Sequence, residues 1–291
     1  MGRTIAGRLA CVDLLGGVYN RTEETGHEVA AELKVRACSS LEDLAAHSSV
    51  VITTVSDAAA ISAVFDESAG LIPCLRSGTL AIEMSTVGPA TIVSLGLKLG
   101  AVGCALIDAP VSGSTQMAAA GELTILAGGE ATDIQRASPI FDAIGRRTFH
   151  MGALGSGATM KLAVNNAVYG LSQSIAESLV LAEQAGINRN LAYDVFANSA
   201  VAAPFVAYRR PLFENPELAP QMSLDLALKD MGLILELADD VDAQLPQAVA
   251  NSAVMRAAQV RGLGSMDVSI TAEHLRMRGA NDLKATNEGE G

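Results

Sequence analysis

The chain has 291 residues, 49% hydrophobic and 18% charged, which is enough for a sizeable buried core and divides more naturally into two domains than one. Its formal net charge of -12 repels a polyphosphate backbone and an anionic membrane surface, so neither nucleic acid nor membrane is an expected partner. A site for an anionic substrate must then be a local basic pocket built from a few Lys and Arg residues.

Arg3 and Arg8 followed by the apolar stretch Leu9 to Val18 imitate a signal peptide, but Asp13 interrupts the run and no Ala-x-Ala site follows. No apolar run reaches the roughly 20 residues needed to span a bilayer, and the reading is a cytoplasmic protein. Cys11, Cys38, Cys74 and Cys104 form no CxxC pair, and His27, His47, His150 and His274 have no HxxxH or HExxH spacing. Reduced thiols and no metal site are expected.

In chain order, Arg3 to Val12 reads as a helix and Leu14 to Tyr19 as a strand weakened by Gly16 and Gly17. Further strand-like runs follow at Val50 to Val55, Thr79 to Met84 and Ala105 to Ile107, then at Leu123 to Ala127 and Arg147 to Met151. Helical stretches lie between most of them, the signature of a parallel sheet covered by helices, ending near His150. From Gly157 onward the pattern is Ala- and Leu-rich helical periodicity, broken at Gly186 and at Pro204, Pro211, Pro216 and Pro220. The expected domains are a sheet domain over 1–150 and an all-helical domain over 151–278, with a disordered polar tail over 279–291.

In such a sheet a dinucleotide pyrophosphate rests on a glycine-rich turn between the first strand and first helix, where only glycine admits the phosphate closely. Here Gly2 stands just before the first helix, as the last glycine of a GxGxxG whose earlier part, with the first strand, is not in the sequence. Two readings stay open: a start inside a longer protein, or a chain that has lost part of its phosphate cradle. After the next strand comes Asn20-Arg21-Thr22. A carboxylate at this position binds the ribose 2′-hydroxyl of NAD, whereas Arg21 suits a 2′-phosphate, so NADP is expected over NAD.

The segment from Asp108 through Pro110 to Ser112-Gly113-Ser114 follows a strand, and its Ser-Gly turn can offer backbone N–H groups and a hydroxyl to a carboxylate. It continues through Ala118, Gly121 and Leu123 to Gly128-Gly129. Later Gly152, Gly155 and Gly157 precede Lys161 and Asn165, and four-residue spacing puts the lysine and asparagine on one helix face. A lysine beside Met160, Leu162 and Val164 either snorkels at a domain edge or has a partner and a task.

Taken with Met84-Ser85-Thr86 and Lys229-Asp230, these stretches give the chain a resemblance, over roughly residues 1 to 277, to the β-hydroxyacid dehydrogenase family. The resemblance implies a Rossmann-like doubly wound parallel sheet, apparently without its first strand, followed by an all-helical C-terminal domain. It implies a small hydroxy acid or semialdehyde as substrate, with Lys161 as general acid/base and Asn165 orienting the substrate. Ser112 and Gly113, with Ser114, are implied at the substrate carboxylate, and Val55, Ser56 and Thr86 at the cofactor alongside Gly2, Asn20, Arg21 and Thr22. Lys229 is implied to reach toward both cofactor and substrate, and the assembly to be a homodimer or homotetramer held by the helical domain. The sequence departs from the family at Asp13 and Ser114, where glycine is usual. An imine reductase, which usually lacks the Lys161–Asn165 pair, and a non-catalytic scaffold with a degraded cofactor site are the rival readings.

Overall fold

The structure, a computed structural model, describes residues 1–66 and 68–277; the tail over 279–291 lies outside them. The first part runs α1 (Gly2–Ala10), β1 (Gly17–Val18), α2 (Glu23–Leu33), β2 (Arg36–Ala37), α3 (Leu41–Ala46), β3 (Val50–Thr53) and α4 (Ala58–Val64). It continues with β4 (Leu80–Glu83), α5 (Pro89–Ala101), β5 (Ala105–Asp108), β6 (Val111–Ser112), α6 (Thr115–Ala120) and β7 (Leu123–Gly128). Then come α7 (Ala131–Arg136), α8 (Ser138–Ile144) and β8 (Gly145–Gly152). The helix starts follow local chemistry: Asp57 accepts from the Ala60 N–H at 2.8 Å to begin α4, and Pro89 opens α5, where its missing N–H costs nothing.

β3, β4 and β5 pair in parallel. β7 runs antiparallel to β5 and β6 and parallel to β8. β1 and β2 form a separate parallel pair, and no ladder among the described residues joins them to β3. One expectation is corrected here. The strand expected over Leu14 to Tyr19 pairs only at Gly17 and Val18, since Asp13 at φ 57° and the bond from Leu14 N–H to Leu9 O still belong to the end of α1. The six-stranded sheet is parallel-dominated, as expected, with antiparallel pairing only where β7 meets β5 and β6. β2 and β6, two residues each, are too short for any periodicity to register.

Helices cover both faces of the six-stranded sheet. Ile82, Ile107 and Ile125 point to the side filled by Ile5, Leu9 and Phe141. Ala81 and Leu106, one residue out of phase, point to the side filled by Ile61, Phe65, Leu95 and Leu99. Burial on both faces is why β4 is apolar almost throughout, and each large aliphatic residue contributes about 1.5–3 kcal/mol by leaving water.

Residue contacts divide the chain into two units, Met1–Leu162 and Ala163 onward. The helices from Ser156 on are α9 (Ser156–Gln184), α10 (Arg189–Ala197), α11 (Pro204–Glu214), α12 (Leu224–Asp240) and α13 (Pro246–Ala258), with helical residues 271–277 beyond. The second unit's core gathers Ile175, Leu179, Tyr193, Val206 and Phe213. A buried ion pair, Arg209 Nη1 to Asp267 Oδ2 at 2.6 Å, ties α11 to the chain after α13. Asp267 also accepts from the N–H groups of Gln221, Met222 and Ser269, so the buried charge has the extra hydrogen bonds it needs.

Candidate active site

Parallel pairing sets Thr53 beside Glu83 and Glu83 beside Asp108 at the carboxyl ends of β3, β4 and β5. In a parallel, in-register ladder all three project to the same face, giving a polar row at the end of an apolar sheet. Glu83 and Asp108 are fully buried, so each must find its hydrogen bonds inside the protein.

Asp108 finds them on α9. Its Oδ1 accepts from Gly155 N–H at 2.9 Å and its Oδ2 from Ala158 N–H at 2.7 Å. The carboxylate thus closes the amino end of the helix that carries Lys161, satisfying two of the donors every helix leaves open and meeting the positive end of the dipole. Burial pushes its carboxyl above the usual range, with these N–H bonds pulling the other way. The nearby glycines serve this contact. A side chain on Gly157 would strike the carbonyls of Leu126 and Asp108, and one on Gly128 would strike the Asp108 carboxylate. The glycine turn is therefore a close docking of helix onto sheet.

Glu83 accepts from Ser85 N–H at 2.7 Å and from the Thr53 hydroxyl, and Ser85 Oγ accepts from Val55 N–H at 2.7 Å. Burial raises the Glu83 pKa against these bonds. The network locks together the loops after β3 and β4, which carry Val55, Ser56 and Thr86. Ser56 Oγ donates to Asp57 at 2.8 Å. Gly2, the first residue of α1, lies against the same loop, since a side chain there would strike Thr54.

Asn20, Arg21 and Thr22 follow β1. Asn20 Nδ2 donates to Thr22 O at 3.0 Å, and Thr22 precedes α2 without a side-chain cap bond. Asn20 and Arg21 line a cavity of about 140 Å³ with Tyr19, His27, Cys38 and Ser39, where Arg21 could hold an anion. At the end of the six-stranded path away from β3, Ser112 ends β6 opposite Thr124. Gly113 has φ +145°, a conformation that L side chains rarely adopt. Ser114 Oγ accepts from Met117 N–H at 3.2 Å and caps α6, so its hydroxyl lone pairs are partly committed to the fold.

Lys161, half-buried, and Asn165, buried, lie one turn apart on the continuous helix α9. Asn165 Nδ2 donates to Asp230 Oδ2 at 2.8 Å, and Tyr169 Oη donates to the same oxygen at 2.8 Å. Lys229 Nζ lies 2.9 Å from Asp230 Oδ1. The structure thus joins two sequence candidates, Asn165 and Lys229, through a carboxylate to which the sequence reading gave no role. Glu83, Asp108 and Tyr169 were missed in the same way. The available signal was an acidic residue at the end of an apolar strand for Glu83 and Asp108, and the fourth residue after Asn165 for Tyr169.

Among the described residues no group of His, Cys, Asp and Glu could hold a metal ion, and no helix is long and apolar enough to cross a membrane. Residues 1–152 match the family model described as the NAD binding domain of 6-phosphogluconate dehydrogenase. Residues 155–275 match the model described as NAD-binding of NADP-dependent 3-hydroxyisobutyrate dehydrogenase. A Rossmann-like sheet followed by a helical unit of this kind is the build of an NAD(P)-dependent oxidoreductase.

The chain is 31% identical to glyoxylate/succinic semialdehyde reductase 1 of Arabidopsis thaliana, over 95% of this chain and 97% of that protein. It is 31% identical to the 3-sulfolactaldehyde reductase of Escherichia coli, over 72% of this chain and 70% of that one. The crystal structure of 3-hydroxyisobutyrate dehydrogenase from Salmonella typhimurium superimposes with a TM-score of 0.83 at 25% identity, covering 93% of this chain and 95% of that one. The chain belongs to the β-hydroxyacid dehydrogenase family.

Proposed function

We propose that the protein transfers a hydride between NADP(H) and a small 3-hydroxy acid or the matching semialdehyde, with Lys161 as general acid/base. The observation that carries this reading is the placement of Lys161 and Asn165 one turn apart on α9, a helix whose first turn is fastened to the end of β5 by Asp108. A proton-transfer group must be held to a fraction of an ångström, and a helix anchored on a sheet does this better than a loop.

The nicotinamide cofactor, when bound, supplies or accepts the hydride. The residues placed to hold it are Gly2 at the start of α1, Val55, Ser56 and Thr86 in the loops fastened by Glu83, and Asn20, Arg21 and Thr22 after β1. Arg21 favours the 2′-phosphate of NADP, since a guanidinium pairs with phosphate through two parallel N–H bonds. Ser112 and Gly113 receive the substrate carboxylate, with Ser114 beside them. Lys161 donates a proton to the substrate oxygen in reduction and removes the hydroxyl proton in oxidation. Asn165 stays neutral and holds geometry, and Lys229, charge-paired with Asp230, adds positive potential for an anionic substrate or cofactor. The relatives are named for small aldehydes that carry an acid group, which supports the substrate class. Exposed Leu181, Leu191 and Val195 on the helical unit support a homodimer or homotetramer.

The test is Lys161→Ala with NADPH and a panel of short semialdehydes. The expected result is a fall in kcat of about 10²- to 10⁴-fold, the usual worth of a positioned acid or base, with NADPH affinity by fluorescence titration nearly unchanged. Turnover at the wild-type rate removes Lys161 from the chemistry.

A further inference from the structure

Lys161, Asn165 and Tyr169 recur every four residues along α9 and therefore share one face. Asp230, on α12 and 1% exposed, accepts from Asn165 Nδ2 and Tyr169 Oη on one oxygen, each at 2.8 Å, while Lys229 Nζ lies at ion-pair distance, 2.9 Å, from the other. Its two neighbours on α9 are thus a side-chain amide and a phenol one turn apart.

The chemistry of those donors settles which way the amide of Asn165 faces. An amide can be turned by 180° with little change in shape, but an ionised carboxylate only accepts. The NH₂ must therefore face Asp230, and the carbonyl oxygen, across the Cγ atom, is directed away from it. Tyr169 makes the arrangement one-sided. Burial and the Asp230 charge hold its phenol well above the usual range, so it stays a donor to Asp230 Oδ2. Phenol and amide thus converge as donors on one carboxylate oxygen, Oη–H to Oδ2 and Nδ2–H to Oδ2.

We propose that Tyr169 and Asp230 are positioning residues that fix the Asn165 amide with its carbonyl as the acceptor for the Lys161 ammonium one turn away, so that the ammonium is aimed before it transfers its proton. This rests on the role proposed for Lys161. Side chains four apart on a helix are within reach of each other. An ammonium with one N–H fixed on a carbonyl presents its remaining N–H groups in a narrower range of directions. The sequence of contacts gives Tyr169 an influence on the reaction two helical turns from Lys161, with no contact to the reacting atoms.

Tyr169→Phe deletes one hydroxyl and keeps the ring, and Asp230→Asn replaces the accepting carboxylate by an amide that can face Asn165 either way. For Tyr169→Phe, kcat should fall roughly 5- to 20-fold, with NADPH affinity unchanged within about twofold. Asp230→Asn should lose more. In ¹⁵N spectra, the side-chain amide protons of Asn165 should exchange with solvent at least about tenfold faster in Asp230→Asn than in the wild type. A Tyr169→Phe enzyme with wild-type kcat and a lowered melting temperature would give Tyr169 a packing role alone and overturn the proposal. Unchanged Asn165 exchange in Asp230→Asn would overturn it as well. If the wild type reduces none of the semialdehydes, the functional reading fails on that result, while the exchange measurement still decides the fixed amide.

Discussion

Replacing Asp108 with alanine removes the clamp between the end of β5 and the first turn of α9. Two N–H···O bonds are lost, at 2.9 Å from Gly155 and 2.7 Å from Ala158. Hydrogen bonds to a charged group are worth about 1.5–3 kcal/mol each, and the orphaned N–H groups keep their desolvation cost. Against this, the buried carboxylate itself is costly, as its upward-shifted pKa shows. The balance is a net loss of about 2–4 kcal/mol, a large part of the 5–15 kcal/mol typical of a domain. With a urea slope of about 2 kcal/mol/M, the midpoint of the transition that includes the sheet should fall by about 1–2 M. Urea titration followed by far-UV circular dichroism at pH 7 measures it. Because α9 carries Lys161, kcat should fall as well, and more steeply than NADPH affinity. A midpoint within about 0.3 M of the wild type would show that the carboxylate does not fasten the helix.

Two further outcomes are expected. Arg21→Ser should weaken NADPH binding by about 10- to 100-fold while changing NADH binding about twofold at most, as read by fluorescence titration of each cofactor; equal losses for both would place Arg21 away from the 2′-phosphate. Glu83→Gln tests the buried carboxyl. Burial raises its folded pKa above the ordinary value of 4.5, so folding favours the protonated form. That contribution is full below the unfolded pKa and is lost as pH rises through the folded one. The neutral glutamine escapes the loss, so the variant should melt above the wild type at pH 8, with the gap closing as pH falls toward 4.5; a gap independent of pH would refute the assignment.

The fold was legible wherever burial imposes a pattern over several residues. The apolar runs at β3, β4, β5 and β7 were read in place because a central strand buried on both faces must be apolar throughout. The two-residue strands β2 and β6 have no such pattern, and β6 depends on a hairpin partner. The helix face shared by Lys161 and Asn165 was readable because helix spacing is local. Ser114 was expected to bind a carboxylate from its place in the turn, and the structure shows its hydroxyl capping α6 through Met117 N–H. The glycines at 155 and 157 were read as a signature, but what requires Gly157 is the proximity of the Leu126 and Asp108 carbonyls.

The sequence by itself determined the family, the sheet-then-helix order and the helix face shared by Lys161 and Asn165, because periodicity and motif spacing act over a few residues. Only the tertiary structure decided what fastens that face. Asp108 meets Gly155 across 47 residues of chain, Thr53 meets Glu83 across 30, and Asn165 meets Asp230 across 65. A buried carboxylate takes its partners from whatever packing brings beside it, and no local pattern names those partners in advance.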